Sequence, residues 1–467
     1  MSELNLHSKQ CLLGRSAEEL RLEPARVRIR DGFIVAVEPG DAQAGDHELG
    51  DQILAPAFVN AHTHLALHSC RGLTEARLLK GNLVEDLFYR VEEQLEAADV
   101  EAFARVAALE CLLHGVGTVF DHYYHGVATA RAARDCGLAA VVAPTLQDRH
   151  GPGIAIAERA LQETADLDSE AWRADGIVAA VGPHATDTVS ADLWGRALDL
   201  AEERKLPLHA HVAQSAQEAS RCLDEHGCSP LQWLQREGFL DRPVQQLLVH
   251  ALFVSTEDLQ RLDPAQQMLC ANPYSQMQFG FPAAVAEWSA AGLDWVVGTD
   301  CGASNDGMDV QKELRLLAGQ QTWSVTYSAE RAAMAQTLDA GSVAAVEELR
   351  VRADREGELD AATLLHRVWG APGRLSPQLR TGAIEAGARA QLIVLDPEHP
   401  ALWPATNPLR ALAFGSITPA ITSVIAAGRW LGEPGNPAAC LREDRVREWI
   451  DEASRRHAAL MRRALIS

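Results

Sequence analysis

The middle of the chain alternates between helical and extended patterns of hydrophobic residues. Residues 190–205 place Leu193, Ala197 and Leu200 at helical spacing, and the short apolar run "LPLHAHVA" follows at once. The alternation continues through "QEASRCLDEHG", "PLQWLQREGFL", "QLLVHALFV", "STEDLQRL", "QQMLCAN", "AAVAEWSAAG" and "LDWVVGTD". Because strands that alternate with helices over roughly 300 residues form parallel sheets, we predict an α/β fold built on a (β/α)8 TIM-like barrel.

The two ends of the chain show short alternating runs that are broken by glycine. "RVRIRDGFIVAVEPG" predicts a hairpin that turns at Asp31-Gly32, and "TGAIEAGARAQLIVLD" and "ITSVIAAGRWLG" predict late strands. We expect residues 1–55 and 380–433 to form one small composite β-sandwich domain, residues 56–379 the barrel, and residues 434–467 a helical tail that begins near Pro434. The alternative is two unrelated β segments. The tail could pack on its own barrel or on a second subunit of a homo-oligomer.

The excess of acidic residues narrows the range of partners. With 42 Lys and Arg against 64 Asp and Glu, the formal net charge of −22 disfavours binding to nucleic acid and to anionic membrane surfaces. The opening "MSELNLHSKQ" lacks the apolar run of a signal peptide, and no stretch approaches the ~18 apolar residues of a membrane span. Nine cysteines without a CxxC pair fit a reducing compartment. We therefore expect a cytoplasmic protein that acts on a small molecule.

Ionisable residues close the predicted barrel strands one after another. The strand ends "NAHTH", "GPH", "HAH", "LVH" and "GTD" supply His62 and His64, His184, His211, His250 and Asp300. The carboxyl ends of parallel barrel strands meet at one face, where active sites lie. Side chains two apart on a strand point the same way, so His62 and His64 would lie side by side. Each residue alone is compatible with a structural role, but together they predict a metal site, and several imidazoles with a carboxylate suit zinc, or iron as the competitor.

These motifs, in this order, resemble the amidohydrolase superfamily, in particular its branch of cytosine, guanine and S-adenosylhomocysteine deaminases and triazine hydrolases. The resemblance covers most of the chain, from "RDGFIVAVEPG" through "LAPAFVNAHTHLALHSCRGL", "GPHATDTVS", "HAHVAQS", "LLVHALFVS" and "GTDCGASNDGMD" to "GRW". It implies a metal held by four residues, His62, His64, His211 and Asp300. It also implies that His250 lies beside the attacking water and that His184 faces the substrate.

The lysines bear on the number of metal ions. Members of the resembling family that hold two ions bridge them with a carboxylated lysine from a central strand. The lysines of this chain are Lys9, Lys80, Lys205 and Lys312, and none lies on a predicted central strand, since Lys205 precedes its strand. We therefore expect one divalent ion.

The expected chemistry follows from the resemblance and from the properties of the ion. A zinc-class ion lowers the pKa of bound water from about 15.7 toward about 7. Asp300 would take the water proton, and His250 would stabilise the developing charge. We expect a metal-dependent aminohydrolase, acting on C–N bonds other than peptide bonds, that deaminates a purine, pyrimidine, pterin or triazine heterocycle.

One position departs from the deaminases of the resembling family. They carry His-x-x-Glu on the fifth strand, where the glutamate protonates the ring nitrogen, whereas this chain reads "HVAQ" with Gln214 in that place. We place Gln214 among the catalytic and substrate-binding residues, although an amide has no titratable proton. Three interpretations follow. Gln214 binds a substrate with a leaving group such as a halide, as in a triazine-type dechlorinating hydrolase; another acid, Asp187 or Asp306, replaces the glutamate; or the protein is a catalytically silent metal-binding barrel.

Further substrate contacts are expected around this position. "NPYSQM" places Gln276 where the resembling family has asparagine, on the side of the substrate. The segment "LALHSCRGLTEARLLKGNLVEDLF" is expected to form a loop over the pocket, because loops carry specificity. At the end of a further strand, in "DHYYH", Tyr123 or His125 would line the pocket.

Overall fold

The structure is a computed structural model that describes residues 3–74, 83–278, 281–320, 328–356, 359–404 and 406–464. The strands are β1 (Glu3–Leu13), β2 (Arg21–Arg30), β3 (Phe33–Pro39), β4 (His47–Glu48), β5 (Ile53–Pro56), β6 (Phe58–His64), β7 (Val116–Tyr123), β8 (Ala139–Leu146), β9 (Ile177–Ala179), β10 (Gly182–Pro183), β11 (Leu208–Val212), β12 (Gln246–His250), β13 (Gln267–Ala271), β14 (Trp295–Val297), β15 (Asp300–Cys301), β16 (Leu392–Leu395), β17 (Ile421–Ala426) and β18 (Arg429–Trp430).

The α-helices are α1 (Tyr89–Glu92), α2 (Ala97–Leu113), α3 (Gly126–Cys136), α4 (Ala157–Leu167), α5 (Glu170–Ala174), α6 (Ala191–Arg204), α7 (Ala216–His226), α8 (Pro230–Arg236), α9 (Thr256–Leu259), α10 (Pro273–Gln278), α11 (Val285–Ala290), α12 (Gly302–Asn305), α13 (Val310–Gln320), α14 (Ala329–Gln336), α15 (Ala340–Glu356), α16 (Ala361–Arg367), α17 (Pro408–Phe414) and α18 (Asp444–Arg463). A π-helical turn spans Val84–Phe88, and 3-10 helices span Leu65–Cys70, Pro152–Ile156, Pro372–Arg374, Thr418–Ala420 and Pro437–Arg442.

One sheet joins strands from both ends of the chain. Within the described ranges its order is β18-β17-β16-β5-β1-β2-β3, with β4 beside β1. The hairpin between β2 and β3 turns at Asp31 and Gly32, which take φ values of 49° and 85°. These left-handed values suit a tight hairpin turn, so the predicted turn is confirmed. The pairings describe a single sheet, and the division into a separate β-sandwich domain stays a prediction.

The middle of the chain forms a TIM-barrel-like α/β fold with parallel strands. One sheet has the order β10-β8-β7-β6-β15 with β9 beside β8, and a second has the order β11-β12-β13-β14. A parallel bridge between Val181 and Leu208 links the two sheets. Helices lie between most of these strands, as the sequence pattern predicts. Helix α9 begins with a capping box between Ser255 and Asp258.

Alternate residues of the parallel strands form an apolar layer beneath the strand ends. Val59 and Ala61 of β6, Phe120 of β7 and Leu247 and Val249 of β12 belong to this layer. A register shift against β7 follows between Asn60 and Thr63, where the imidazoles begin. The polar strand ends therefore rest on a packed apolar floor, which holds their backbone in place.

The terminal sheet runs directly into the first barrel strand. β5 pairs with β1 and β16, whereas β6 pairs with β7 and β15, and only Ala57 separates β5 from β6. The Ala57 amide donates to the Gln391 carbonyl at 2.9 Å, which ties this junction to the C-terminal part of the chain. The strand that carries His62 and His64 is thus a continuation of the terminal sheet.

The C-terminal helix begins later than the sequence suggests. We expected one helix from about Pro434, but residues 437–442 form a 3-10 turn and α18 starts at Asp444. Arg456 and Arg463 of α18 form ion pairs with the buried Asp99 of α2 at 3.2 and 2.5 Å. The tail therefore packs on its own barrel. Among the described residues, no helix is both long and apolar enough to cross a bilayer.

Candidate active site

Four side chains meet at the carboxyl ends of the parallel strands. His64 Nε2 lies 3.3 Å from His211 Nε2 and 3.3 Å from Asp300 Oδ1, and His62 Nε2 lies 3.6 Å from the same Asp300 oxygen. All four are buried or nearly so. The structure thus brings together the residues that were predicted as metal ligands, although they come from β6, β11 and β15.

The second ring nitrogen of each histidine has its own partner. His62 Nδ1 shares a hydrogen bond of 2.8 Å with His209 Nε2. His211 Nδ1 contacts the His184 carbonyl at 2.9 Å, and His64 Nδ1 contacts the His122 carbonyl. Metal-binding histidines are usually oriented in this way, with one nitrogen held by the protein and the other turned to the ion.

The geometry fits a metal ion. The group His62, His64 and Asp300 and the group His62, His211 and His250 each offer ligand atoms within 4.8 Å of one another. The 3.6 Å between His62 Nε2 and Asp300 Oδ1 exceeds hydrogen-bond length, so this buried nitrogen lacks the partner that a metal would supply. Nitrogen-rich sites with one carboxylate suit zinc or iron better than magnesium or calcium.

Asp300 is held as a carboxylate by its surroundings. Burial alone would raise its pKa, but the close approach of His62 and His64 and the charge of His250 hold the pKa well below its ordinary value. Ser275 Oγ donates to Asp300 Oδ2 at 2.6 Å, which fixes the orientation of the carboxyl group. The protein therefore presents an anionic ligand at this position.

The backbone is strained where these strands end. His250 and Asp300 adopt φ values of 77° and 62°, in the left-handed region that residues other than glycine rarely occupy. Between β14 and β15, a Cβ on Gly298 would come within 2.6 Å of the His62 amide nitrogen. Only glycine therefore allows the chain that leads to Asp300 to pass so close to β6.

The described lysines lie away from this centre. Lys205 is exposed and caps the C-terminal end of α6, before β11 begins. The side chains of Lys9 and Lys312 are 60% and 65% exposed. Lys80 lies outside the described residues. No described lysine is therefore placed to bridge two ions.

A cavity opens over the ligand cluster. Its polar and histidine lining residues near the cluster are accompanied by apolar and aromatic ones. The lining consists of His64, Leu67, Val84, Phe88, Tyr89, Glu92, His122, Tyr123, Tyr124, Thr145, His184, His211, Gln214, Asp300 and Cys301. Gln147 ties two of the wall residues together, since Tyr124 Oη donates to its Oε1 at 2.9 Å and its Nε2 donates to Tyr89 Oη at 3.3 Å. Such a wall of aromatic rings suits a flat apolar ring that carries a few polar groups.

His184 and Gln214 both lie on this cavity, as the sequence predicts. Burial lowers the pKa of His184 to about 3, and its Nδ1 pairs with Thr188 Oγ1 at 2.9 Å. The backbone amide of Gln214 donates to the buried Glu218 at 2.7 Å, which fixes the turn after β11. His250 is fully buried beside Asp300, with its Nε2 3.9 Å from Asp300 Oδ2.

Other predicted contacts are not brought to this cavity. Gln276 is fully buried outside the cavity lining, and its side-chain atoms have no hydrogen-bond partner among the described residues. Asp187 pairs with Arg221 at 3.0 Å and lines an adjoining cavity. Asp306 lines a cavity on another side of the molecule. Of the two alternatives at "DHYYH", Tyr123 lines the site and His125 does not. The loop expected over the pocket falls partly on residues 75–82, outside the described residues, while Val84 and Phe88 line the site.

Comparison with known proteins decides the family. The sequence model of the Amidohydrolase family matches residues 53–353, which span both the barrel and the cluster. The chain belongs to the amidohydrolase family. Among curated amidohydrolase relatives, a 5-methylthioadenosine/S-adenosylhomocysteine deaminase of Nitratidesulfovibrio vulgaris is 29% identical over 459 residues, which cover 94% of this chain and 96% of the relative. Because the family is that of the amidohydrolases and the relatives are named deaminases, this amidohydrolase is a hydrolase that acts on C–N bonds.

Solved structures agree on the amidohydrolase fold. An adenosine deaminase of Xanthomonas campestris with bound zinc superposes with a TM-score of 0.76 at 23% identity, covering 97% of this chain and 98% of that chain. Atrazine chlorohydrolase of Arthrobacter aurescens in complex with zinc superposes with a TM-score of 0.77 at 19% identity, covering 98% and 100%.

Sequence reasoning missed three residues of this amidohydrolase site. His209 lies two positions before His211 on the same strand, so the spacing that singled out His62 and His64 would have found it. His122 precedes Tyr123 at the end of β7, and its ring stacks on His211 at 5.0 Å between centroids. Glu92 lies on a short helix after the loop, where no motif marked it.

Proposed function

We propose that this amidohydrolase uses a single divalent metal ion, zinc first and iron as the alternative, to deaminate an amino-substituted nitrogen heterocycle. One observation carries the proposal: His62, His64, His211 and Asp300 converge beneath a cavity with an aromatic wall. A ligand cluster of this kind supports hydrolysis, and the aromatic wall supports a planar substrate.

Those four residues would hold the ion. When bound, such an ion supplies Lewis acidity and makes water nucleophilic at neutral pH. The absence of a described lysine near the cluster supports one ion rather than two. The zinc-bound relatives in structure support zinc as the first ion to load.

Protein side chains carry out the proton transfers, stabilise the developing charge and bind the substrate ring. Asp300, an anion with a fixed orientation, accepts the proton of the attacking water and passes it to the leaving amino group. His250 stands beside Asp300 and stabilises the charge that develops on the substrate. His184 and Gln214 face the cavity and hydrogen-bond the ring.

The substrate class that we favour is a purine nucleoside. Relatives are named 5-methylthioadenosine/S-adenosylhomocysteine deaminase and 5'-deoxyadenosine deaminase. The aromatic-walled cavity continues into a polar one, and the two share Val84, Tyr89, His184 and Gln214. The polar cavity is lined by Thr188, Ser215 and Arg221 among others. The base would fill the first cavity, and the hydroxyl-rich part of the nucleoside would reach the second.

A dechlorinating, triazine-type hydrolase is the second candidate. The observation in its favour is Gln214, because an amide cannot relay a proton, and a halide leaves without one. In this case Asp300 alone handles the single proton transfer.

Product analysis tests both candidates. Zinc-loaded protein would be offered 5'-methylthioadenosine, S-adenosylhomocysteine, 5'-deoxyadenosine, guanine, cytosine and atrazine, with chelator-treated protein as the control. We expect ammonia from one of the adenine nucleosides, and only with metal present. Chloride from atrazine without ammonia from any compound would replace the first candidate with the second. Turnover of no compound by protein with confirmed metal would reject both.

A further inference from the structure

We propose that Glu92 is a catalytic residue of this site and carries the substrate proton that Gln214 cannot carry. This inference rests on the proposed function, since it concerns the deamination of a ring that must gain a proton. It assigns the acid to helix α1 after the first barrel strand, and not to the turn after β11.

The position of Glu92 supports this role. It is the last residue of α1 (Tyr89–Glu92), and this helix follows directly on the π-helical turn Val84–Phe88, which also lines the cavity. Glu92 is only 8% exposed, yet it lines the same cavity as Gln214 and Asp300. A buried carboxyl group that borders a substrate cavity is desolvated without being shut away from the substrate.

Two described carboxyl groups line the cavity, and Glu92 is the one to which the proposed mechanism has not yet given a role. Among the described residues, Asp300 and Glu92 are the acidic side chains that line the cavity. Asp300 is already engaged by the histidine cluster and by Ser275. Asp187, one of the two acids that the sequence suggested, is paired with Arg221, and Asp306 lies in a different cavity. No described lysine or arginine lines the cavity to pair with Glu92.

The electrostatic surroundings of Glu92 agree with this position. Burial raises its pKa to about 7, although the Tyr123 hydroxyl and His64 act in the opposite direction. An acid with a pKa near the working pH can both give and take a proton, which is what a relay requires. A carboxyl group of ordinary pKa would be ionised at neutral pH and could only accept one.

The proton balance requires two relays. Deamination converts C(–NH2)=N in the ring to C(=O)–NH and releases ammonia, so the attacking water supplies both protons. One water proton passes through Asp300 to the leaving amino group. Protonated Glu92 donates to the ring nitrogen as the C–O bond forms, and it recovers a proton from the new hydroxyl group as the C–N bond breaks. Glu92 ends the cycle protonated, as it began.

The test uses Glu92→Gln in the full-length, zinc-loaded protein, with Glu93→Gln as the matched control. Glu93 is the next residue of the chain and is exposed, so the control makes the same chemical change outside the cavity. With the nucleoside that the wild type deaminates best, we expect Glu92→Gln to lower kcat by about 10²-fold or more, with unchanged zinc content and little change in KM. Glu93→Gln should match the wild type.

Three further measurements separate a catalytic role from a structural one. In the wild type, kcat/KM should fall as pH rises through the pKa of Glu92, and this basic limb should be absent from the residual activity of Glu92→Gln. The double variant Glu92→Gln/Gln214→Glu returns a carboxyl group to the cavity and should recover at least about tenfold of the lost rate. An infrared band of a protonated carboxyl group that is lost in Glu92→Gln would show that the wild-type side chain holds a proton below pH 7.

The outcomes are distinct for the two proposals. Ammonia from the wild type, together with full activity and an unchanged pH profile in Glu92→Gln, overturns the role of Glu92 and leaves the deaminase. Loss of zinc or a large drop in Tm in Glu92→Gln, without recovery in the double variant, assigns Glu92 to the structure and overturns its catalytic role. Absence of ammonia from the metal-loaded wild type rejects the proposed function, and the role of Glu92 falls with it.

Discussion

His209 and His62 share a hydrogen bond of 2.8 Å between Nε2 and Nδ1, although 147 residues separate them in the chain. Both rings are buried, so neither can exchange this partner for water. The bond fixes the ring plane of His62 and turns its Nε2 toward His64, His211 and Asp300. His209 therefore shapes the metal site without contributing a ligand atom to it.

Removing this partner should weaken metal binding while leaving the fold intact. We expect His209→Ala to lower zinc affinity by about 10- to 100-fold, because metal-binding histidines depend on the group that orients them. Competition against a chromogenic chelator measures the change. His226→Ala serves as the control, because His226 is the last residue of α7 and does not line the cavity. Equal affinity in wild type and His209→Ala would show that His62 needs no such orientation.

Removing a ligand should have a larger effect than removing its partner. We expect His211→Ala to lose metal binding and activity together, because His211 Nε2 lies 3.3 Å from His64 Nε2 at the centre of the cluster. Metal analysis of purified protein and an activity assay on the same sample provide the comparison. Metal content equal to that of the wild type would remove His211 from the ligand set.

Gln214→Glu restores the residue type that deaminases of the resembling family carry in this place. Gln214 already lines the cavity, so a carboxyl group here would reach the substrate. We expect nucleoside deamination to become faster by at least severalfold, because a second titratable group shares the proton transfer. Steady-state kinetics on the best substrate measure the change. An unchanged rate would contradict this expectation and show that a second titratable group at this position takes no part in the proton transfer.

The free energy of unfolding should depend on pH because of a second buried acid, Glu313. Burial raises its pKa to about 7 from an ordinary value of 4.5. Folding therefore takes up a proton between these values, so this contribution to stability is complete below about 4.5 and is lost as pH rises through about 7. Glu313→Gln stays neutral at all pH values. We compare the free energy of unfolding of Glu313→Gln with that of the wild type at each pH. We expect this difference to increase in favour of Glu313→Gln by roughly 1–3 kcal/mol as pH rises from about 5 to about 8.

Thermal unfolding across this pH range measures the effect of Glu313. Glu287→Gln on the exposed face of α11 is the control for a change of carboxyl to amide. Parallel pH curves for wild type and Glu313→Gln would show that Glu313 is ionised in the folded protein.

The sequence could predict that the proposed metal ligands lie together because their signal is local. His62, His64, His211 and Asp300 each close an apolar run, and parallel strands collect their ends at one face, so spacing alone places them together. The start of the C-terminal helix was harder to predict. The segment "REDRVREWIDEASRRHAALMRRALI" shows the amphipathic period of a helix but does not show at which residue the helix begins. The helix begins at Asp444 because the preceding segment, which opens with Pro437, forms a 3-10 turn instead.

Glu92 could not be found from sequence for a physical reason. It stands in "FYRVEEQLEAAD", where Glu92 and Glu93 have the same chemistry and the same acidic neighbours. Only the turn of α1 decides that Glu92 enters the cavity and Glu93 faces solvent. Gln276 is a different case, since its motif position suggested substrate contact, whereas the structure shows a buried side chain outside the cavity lining.

The single residue between β5 and β6 has a consequence for how the protein is made. The strand that carries His62 and His64 emerges early in synthesis, but its continuation, Ile53–Pro56, is paired with Leu392–Leu395, which emerges near the end. Until that late strand is in place, the first two proposed metal ligands are attached to a segment that lacks one of its two neighbours. We therefore expect the ion to bind only after translation is nearly complete. The time needed to synthesise the rest of the chain then sets the earliest moment at which the metal can load.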